Sequence, residues 1–246
     1  MQAGPYDRLN QAAIESRQNR NARGVPLMKS LDQLIDVEDP GLALINEWVS
    51  SAKNPCQLLP PSANRAEVLL KAQVSTRSTM GAIAYETGGV LIDHGWLRFL
   101  GSGHPKFTRT LSGWNDGKAD GCYFVADDAV GGFFALNGGA FGTDLGKIYY
   151  WPADSLEWEP TKLGYSDFFE WVLMGDLTEF YASVRWSSWR EEIASLTGDR
   201  CVSFYPFLWA KEGSAETSRR STIPIDEAFA LKRDLLRQMD GKAGGN

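Results

Sequence analysis

The stretch Gly132-Phe-Phe-Ala-Leu136-Asn-Gly-Gly139 joins a short apolar run to an Asn-Gly dipeptide, the strongest hairpin signal in the chain. Short apolar runs between glycines are typical of buried β-strands. Similar runs, separated by turn residues, lie on both sides of this stretch. We therefore predict an antiparallel meander with strands at residues 82–85, 90–92, 96–100, 123–125, 132–136, 147–151 and 156–158.

Helical patterns enclose this meander. Asp39-Pro40 places an N-cap acid before a proline, and apolar residues then repeat at helical spacing as far as Ala52. Ser166 is predicted to cap a middle helix that ends at Gly175. Residues 225–239 predict an amphipathic C-terminal helix, residues 202–209 a late strand and residues 211–221 a polar loop. The fold class is α+β: a single domain whose central, mainly antiparallel twisted sheet is flanked by N-terminal, middle and C-terminal helices.

The two ends of the chain differ in composition from the rest. Residues 1–27 contain four arginines among Asn, Gln and Ala, with few residues that could build a core. This segment is predicted to be a disordered leader or a mis-assigned start, with translation beginning at Met28. Residues 28–240 are predicted to form the single globular domain, and residues 241–246 a flexible tail.

Charge and cysteine content restrict the class of protein. A formal net charge of -6 and a pI near 5.1 argue against binding along nucleic acid, which requires a basic face. The three cysteines, Cys56, Cys122 and Cys201, are far apart in sequence and odd in number, which predicts neither a disulfide framework nor a CxxC metal site. No apolar run approaches the about 20 residues of a membrane span. We expect a cytoplasmic protein with reduced thiols and no membrane segment.

The sequence offers little support for catalysis or for a cofactor. His94 and His104 are the only histidines, and no serine lies in a Gly-x-Ser-x-Gly elbow. The cysteines and histidines are too scattered for zinc, and the aspartates that could hold calcium or magnesium are explained more simply as turn residues. We therefore predict no metal and no cofactor; these aspartates are Asp116, Asp120, Asp127 and Asp128.

A binding module is the leading hypothesis, and two alternatives stay open. A hydrolase-like enzyme would gather His94, Arg98, His104 and either Asp127 or Asp128 in a Gly-rich cleft. A nucleotide-binding protein would need a basic anchor such as Lys147 or Arg98 beside the glycines around residue 137. No catalytic residue is assigned. The candidate functional surface consists of residues next to glycines that keep the backbone open: His94, Trp96, Arg98, His104, Asp127 and Asn137.

Several sequence blocks carry a resemblance to a known family. They include Asp93-His-Gly-Trp-Leu-Arg98, Gly101-Ser-Gly-His104 and Ser203-Phe-Tyr-Pro-Phe207, together with the glycine-rich residues 128–139. With these blocks, residues 31–236 resemble a bacterial family called domain of unknown function 2625. That family has no assigned catalytic residues, so none is carried over to this chain.

A looser likeness points to a wider superfamily. Residues 131–136, 148–151 and 166–169 are similar to the core of the SUKH superfamily, the fold of yeast cell-wall-synthesis regulators and bacterial immunity proteins. Residues 77–120 depart from its usual spacing. The resemblance implies a non-enzymatic adaptor that presents a sheet face to a protein partner. With the acidic balance of the chain, we expect a basic partner such as a nuclease toxin, while the oligomeric state stays open.

Overall fold

The computed structural model describes residues 28–118 and 120–243, the last five by their backbone alone. The predicted leader over residues 1–27 and the last three residues of the predicted tail lie outside the described residues. From Leu31 onward the chain forms one compact unit. Its helices are α1 (Leu31–Leu34), α2 (Leu42–Ser50), α3 (Arg65–Ala72), α4 (Thr79–Glu86), α5 (Leu111–Asn115), α6 (Tyr165–Met174), α7 (Leu177–Phe180), α8 (Trp189–Ile193) and α9 (Ile225–Ala243).

A seven-stranded antiparallel sheet forms the centre of this unit. Its strands lie side by side in chain order, because each pairs with the next along the sequence. This arrangement confirms the predicted α+β class with a central antiparallel meander; the likeness to the SUKH superfamily stays a prediction. The strands are β1 (Cys56–Leu59), β2 (Gly89–Ile92), β3 (Leu97–Leu100), β4 (Cys122–Asp128), β5 (Phe133–Asn137), β6 (Ile148–Trp151) and β7 (Glu159–Pro160).

Helix α6 covers one face of the sheet through aromatic contacts. The ring centroids of Phe99 and Phe169 lie 5.0 Å apart, and those of Phe134 and Phe168 lie 4.8 Å apart. All four side chains are fully buried. Removing each from water stabilises the fold by about 1.5–3 kcal/mol, so this face forms much of the core.

Helix α9 covers the middle of the opposite face. The ring of Phe229 stands edge-on to Phe124 and Phe133, with centroids 5.2 and 5.3 Å away. A two-stranded ribbon, β8 (Arg200–Tyr205) and β9 (Arg219–Pro224), leads into this helix. The backbone N–H of Val202 donates to Ala129 O, which joins the ribbon to the loop after β4. At the β1–β3 end, the same face of the sheet opens into a cleft.

Residues 82–85 are helical, so the strand predicted there is wrong. They belong to α4, where the Ser78 hydroxyl accepts a hydrogen bond from the Gly81 N–H at 3.1 Å and caps the helix. Thr79, Gly81, Ala82, Ile83 and Ala84 are all buried. Because a helix buried on most sides shows no polar face, its short apolar run resembled a strand.

Three further predictions about elements need correction. The strand at residues 156–158 is instead the two-residue β7, which begins at Glu159. Ser166 is not the cap of α6, which begins at Tyr165 after Gly164; the Ser166 hydroxyl shares a hydrogen bond with that of Thr79. The late strand ends at Tyr205, since Pro206 has no N–H for the ladder. Strands β1 and β9 had not been predicted.

Asn137-Gly138 does not form a two-residue hairpin. Residues 138–147 make a longer loop between β5 and β6, and the buried side chain of Asn137 organises it. Its carbonyl oxygen accepts from the N–H groups of Gly139 and Phe141, and its amide donates to Asp144. Asn137 therefore has a structural role in this loop and is not part of an exposed surface.

Candidate functional site

Four residues from neighbouring strands form a row across one face of the sheet. Gln57 pairs with Leu91, Leu91 with Arg98, and Arg98 with Asp127. Directly paired residues project to the same side of a sheet, so these side chains lie next to one another. The first three line the floor of the cleft, and the fourth holds Arg98 in place.

The cleft has a volume of about 750 Å³. This volume is in the range of sites that hold a small molecule or a short peptide segment. Its floor is the end of the sheet, and its walls come from the β2–β3 turn, the loop after β3, and α8 with the segment that follows it. The wall residues include His94, Gly95, Pro105, Lys106, Arg190, Ile193, Ala194, Ser195, Leu196, Thr197 and Gly198.

The charge of the cleft is opposite in sign to that of the whole chain. The exposed cations Lys106 and Arg190 line it together with His94, and Arg98 lines it as a buried partner of Asp127. None of the described residues that line the cleft is an aspartate or a glutamate. The nearby Glu192 accepts hydrogen bonds from Trp186 and Arg220. A protein with a formal charge of -6 therefore presents a cationic cleft, which favours an anionic group.

Asp127 forms ion pairs with two arginines beneath the cleft. Its Oδ1 accepts from Arg98 Nε at 2.7 Å, and its Oδ2 accepts from Arg109 Nη1 at 2.6 Å. Arg98 also donates to the carbonyl oxygens of Arg200 and Asp128. Arg98 and Asp127 are 1% and 0% exposed, so the pair is part of the core. Removing one partner would leave a buried charge without compensation.

Asp199 holds the loop after β3 against the segment after α8. Its carboxylate accepts from Thr108 N at 2.9 Å, from Thr108 Oγ1 at 2.8 Å and from Arg109 N at 3.2 Å. Partial burial opposes ionisation, but these hydrogen bonds and the charge of Arg109 prevail and lower the pKa of Asp199. Two walls of the cleft are thus fixed relative to each other by an ionised carboxylate.

His94 lies at the mouth of the cleft in a strained turn. Asp93 and His94 have φ angles of 50° and 61°, and Gly95 follows at 86°. The His94 side chain is exposed, with its ring edge-on to Trp189 at 6.4 Å. Asp93 is buried and forms an ion pair with Arg185. The turn therefore directs the imidazole of His94 towards solvent, whereas the carboxylate of Asp93 is buried.

Arg190 is held at the rim by an aromatic ring. Trp189 contacts two guanidinium groups, Arg185 at 4.2 Å and Arg190 at 4.6 Å from the ring centroid. Burial lowers the pKa of Arg185, while its ion pair with Asp93 opposes that effect. The Trp189 side chain is buried. Arg190 is thus preoriented on a rigid support.

Trp96 is not a surface residue. It is fully buried, with ring centroids 4.9 Å from Trp189 and 5.4 Å from Tyr181. The glycine beside it, Gly95, belongs to the turn and does not expose the indole. Trp96 therefore supports the wall of the cleft from inside.

His104 lies in a second, smaller cavity of about 300 Å³. Its Nδ1 accepts from Lys106 N at 3.1 Å, and Pro105 lines both cavities. Its other lining residues are mostly hydroxyl and amide side chains with two prolines and a glycine, namely Ser62, Asn64, Ser102, Thr108, Thr110, Pro60, Pro61 and Gly103. The structure thus brings His94, Arg98 and Asp127 into one region and places His104 in the adjoining one.

Cys56 lines the cleft as a protonated thiol. Burial raises its pKa to about 12, so at neutral pH it carries no thiolate nucleophile. In the described part of the chain, no group of three or more histidine, cysteine or acidic residues could hold a metal ion. Within the same residues, no helix combines the length and the apolar character that a membrane crossing requires.

Sequence reasoning missed Lys106, Arg109 and Arg190. Arg109 reaches Asp127 across 18 residues and the carbonyl oxygen of Gly198 across 89. No short motif contains these partners together. The cationic lining becomes visible only when the fold places the loop after β3 beside α8.

Comparisons with known proteins agree on a family. The model of the family described as protein of unknown function DUF2625 matches residues 31–228. The chain is 41% identical over 212 residues to the putative uncharacterized protein YbfG of Escherichia coli strain K12, covering 85% of this chain and 97% of that relative. It is 40% identical over 189 residues to an uncharacterized protein of Haemophilus influenzae, covering 74% and 83% of the two chains.

Proposed function

Because this chain belongs to the DUF2625 family, for which no activity is assigned, we propose its function from the cleft: it is a non-enzymatic binding protein that holds an anionic segment of a protein partner. The observation that carries this proposal is the positive charge of the residues that line the cleft. The exposed cations Lys106 and Arg190 line about 750 Å³ of space that no described carboxylate lines.

The walls of the cleft add apolar contacts to this charge. Leu91, Ile193 and Leu196 line it beside the exposed cations Lys106 and Arg190. A ligand with both acidic and apolar groups would gain from charge pairing at the rim and from burial of apolar surface deeper in the cleft. An acidic peptide segment with a leucine-like side chain has this combination.

The positions of the histidines favour binding over hydrolysis. The hydrolase hypothesis needs His94, Arg98, His104 and an aspartate in one site, but His104 lies in the adjoining cavity. Asp127 is fully buried between two arginines and faces no solvent. A general base needs a substrate within hydrogen-bonding reach, and neither histidine is paired with a carboxylate in the described hydrogen bonds and ion pairs.

The likeness to immunity proteins supports a protein as the partner. The negative net charge alone favours a basic partner, such as a toxin. Such a partner would bind an acidic surface of this protein outside the cleft. The cleft carries the opposite sign, so it would bind an acidic part of such a partner. The two expectations concern different surfaces and can be tested separately.

Charge reversal in the cleft tests the proposal. Full-length wild type and the variant Lys106→Glu/Arg190→Glu would be used to capture proteins from native extract at low and high salt. A control variant, Lys211→Glu/Arg219→Glu, changes the net charge equally at exposed residues that do not line the cleft.

We expect wild type and control to capture an acidic protein at low salt, and the cleft variant to lose it. Equal capture by all three proteins would contradict the proposal, as would capture of no partner at all. Retention of a basic partner by the cleft variant would assign that partner to another surface.

A further inference from the structure

Another cavity, of about 370 Å³, lies at the other end of the sheet beside its edge strand β7. Three aromatic rings line it, from Tyr150 on β6, Trp171 on α6 and Phe180 in α7. Glu159 of β7 also lines it. This cavity shares no lining residue with the cationic cleft, so it does not depend on the function proposed for that cleft.

The rings around this cavity are fixed by their neighbours. Phe180 stands edge-on to Trp171 with centroids 5.0 Å apart, and it lies 5.4 Å from Tyr150. Tyr150 stacks on Phe134 at 4.3 Å. Its hydroxyl donates to the buried carboxylate of Asp128 at 2.7 Å, which directs the phenol oxygen into the core. Tyr150 therefore presents its ring carbons, and not its hydroxyl, to the cavity.

The charge beside the rings is negative. Glu159 is the direct strand partner of Tyr150, which places its carboxylate on the same side of the sheet as the tyrosine ring. Partial burial and the nearby carboxylates of Asp154 and Glu157 raise the pKa of Glu159. None of these three acids forms an ion pair within the described part of the chain. Lys162 is exposed and does not line the cavity.

We propose that this cavity, which we call the aromatic pocket, binds an organic ammonium cation presented as a lysine side chain of a partner protein. The faces of aromatic rings attract cations, and sites of this composition recognise ammonium groups. A bound cation would also relieve the repulsion among Asp154, Glu157 and Glu159. Because β7 is the last strand of the sheet and its residues Glu159 and Pro160 are exposed, the pocket lies beside an edge that another chain can approach.

The test compares charged and uncharged probes of one shape. Choline and Nα-acetyl-lysine amide would each be titrated into the full chain. Binding would be measured from the NMR chemical shift of the Trp171 indole N–H. The uncharged control is 3,3-dimethylbutan-1-ol, which has the shape of choline without its charge. We expect both cations to shift this resonance and the alcohol to bind about tenfold more weakly, the fold-change that a desolvated cation–π contact supports.

Two variants locate the interaction. Glu159→Gln removes the carboxylate at an exposed position and is expected to weaken both cations about threefold, since it removes a partly screened charge. Glu170→Gln, an equally exposed change on α6 outside the pocket, is expected to leave affinity unchanged.

The proposal is overturned if the alcohol binds as tightly as choline, if no probe moves the Trp171 resonance, or if both variants behave alike. Binding of choline without binding of the lysine derivative would overturn the protein partner and leave a small-molecule ligand. None of these outcomes depends on Lys106 or Arg190, so failure here is distinguishable from failure of the cleft.

Discussion

Arg98 of β3 and Asp127 of β4 are direct cross-strand partners, and the guanidinium Nε lies 2.7 Å from the carboxylate Oδ1. This contact joins the buried core of the sheet to the floor of the cleft, because Arg98 belongs to both. Arg109 binds the other oxygen of Asp127 and also the carbonyl oxygen of Gly198 in the cleft wall. The site and the stability of the fold are therefore linked through one carboxylate.

Replacing Arg98 should destabilise the protein strongly. Arg98→Met leaves the fully buried Asp127 with a single cationic partner, and losses of about 3 kcal/mol in the free energy of unfolding are typical of such a change. Urea denaturation measures this loss. Arg77→Met is the control, because Arg77 pairs with Asp39 at the surface with side chains 68% and 72% exposed, where about 0–1 kcal/mol is expected. Equal losses of unfolding free energy in the two variants would show that the buried ion pair contributes no more to stability than the exposed one.

Lys232 should make stability depend on pH. Its amine is buried, contacts the ring of Trp151 at 4.5 Å and donates to the carbonyl oxygens of Trp151 and Pro152. Burial lowers its pKa to about 7, although the negative charges of Asp128 and Asp154 oppose this shift. Between pH 7 and the ordinary lysine value near 10, the unfolded chain therefore binds more protons than the folded one.

Stability should accordingly rise as pH increases through this window, by at most about 1.4 kcal/mol per pH unit from this one group. Below about pH 7 both states are protonated, and the full cost of burying the charge is present. Urea denaturation of wild type and Lys232→Met at several pH values measures the effect. In the variant, the free energy of unfolding should rise less steeply between about pH 7 and 10. Identical pH dependence in both proteins would exclude Lys232 as its source.

Gly132 should not tolerate a side chain. A Cβ at this position would collide with Oδ2 of Asp128 and lie 2.7 Å from the hydroxyl oxygen of Tyr150. Gly132→Ala should therefore separate these two groups and lower the free energy of unfolding by about 1–3 kcal/mol, as overpacking does. At Gly164, the N-cap of α6, the nearest atom would be 3.5 Å away, so Gly164→Ala should cost less than about 1 kcal/mol, the preference of this position for glycine over alanine. Similar midpoints for both variants in thermal unfolding would contradict this account.

The strands of the meander were predictable because their apolar runs are short and bounded by glycine. Residues 133–136 and 148–151 form β5 and β6 much as expected. Strand β9 was missed because its first four residues, Arg219 to Thr222, are polar and none of its six residues is buried, which resembles a loop. Helix α4 was misassigned for the opposite reason, since burial on most of its sides removed the polar face that marks a surface helix.

The candidate site was only partly accessible to sequence reasoning. Glycines around His94 correctly marked an exposed turn, and Arg98 with Asp127 proved to be neighbours. The same reasoning failed at Trp96 and Asn137, because a glycine can shape a turn while its neighbour points into the core. Lys106 and Arg190 meet across the cleft only through tertiary packing, which no local pattern encodes.

The central claim is that the cleft binds an acidic, partly apolar segment, and an NMR titration tests it most directly. Two acetylated tetrapeptide amides, one alternating leucine with glutamate and the other leucine with lysine, would be added to the full chain. We predict that the acidic peptide shifts the backbone resonances of Leu91, Lys106 and Ser195, and that Lys106→Glu/Arg190→Glu abolishes these shifts. Equal shifts with the lysine peptide, or acidic-peptide shifts confined to residues outside the cleft, would contradict the claim.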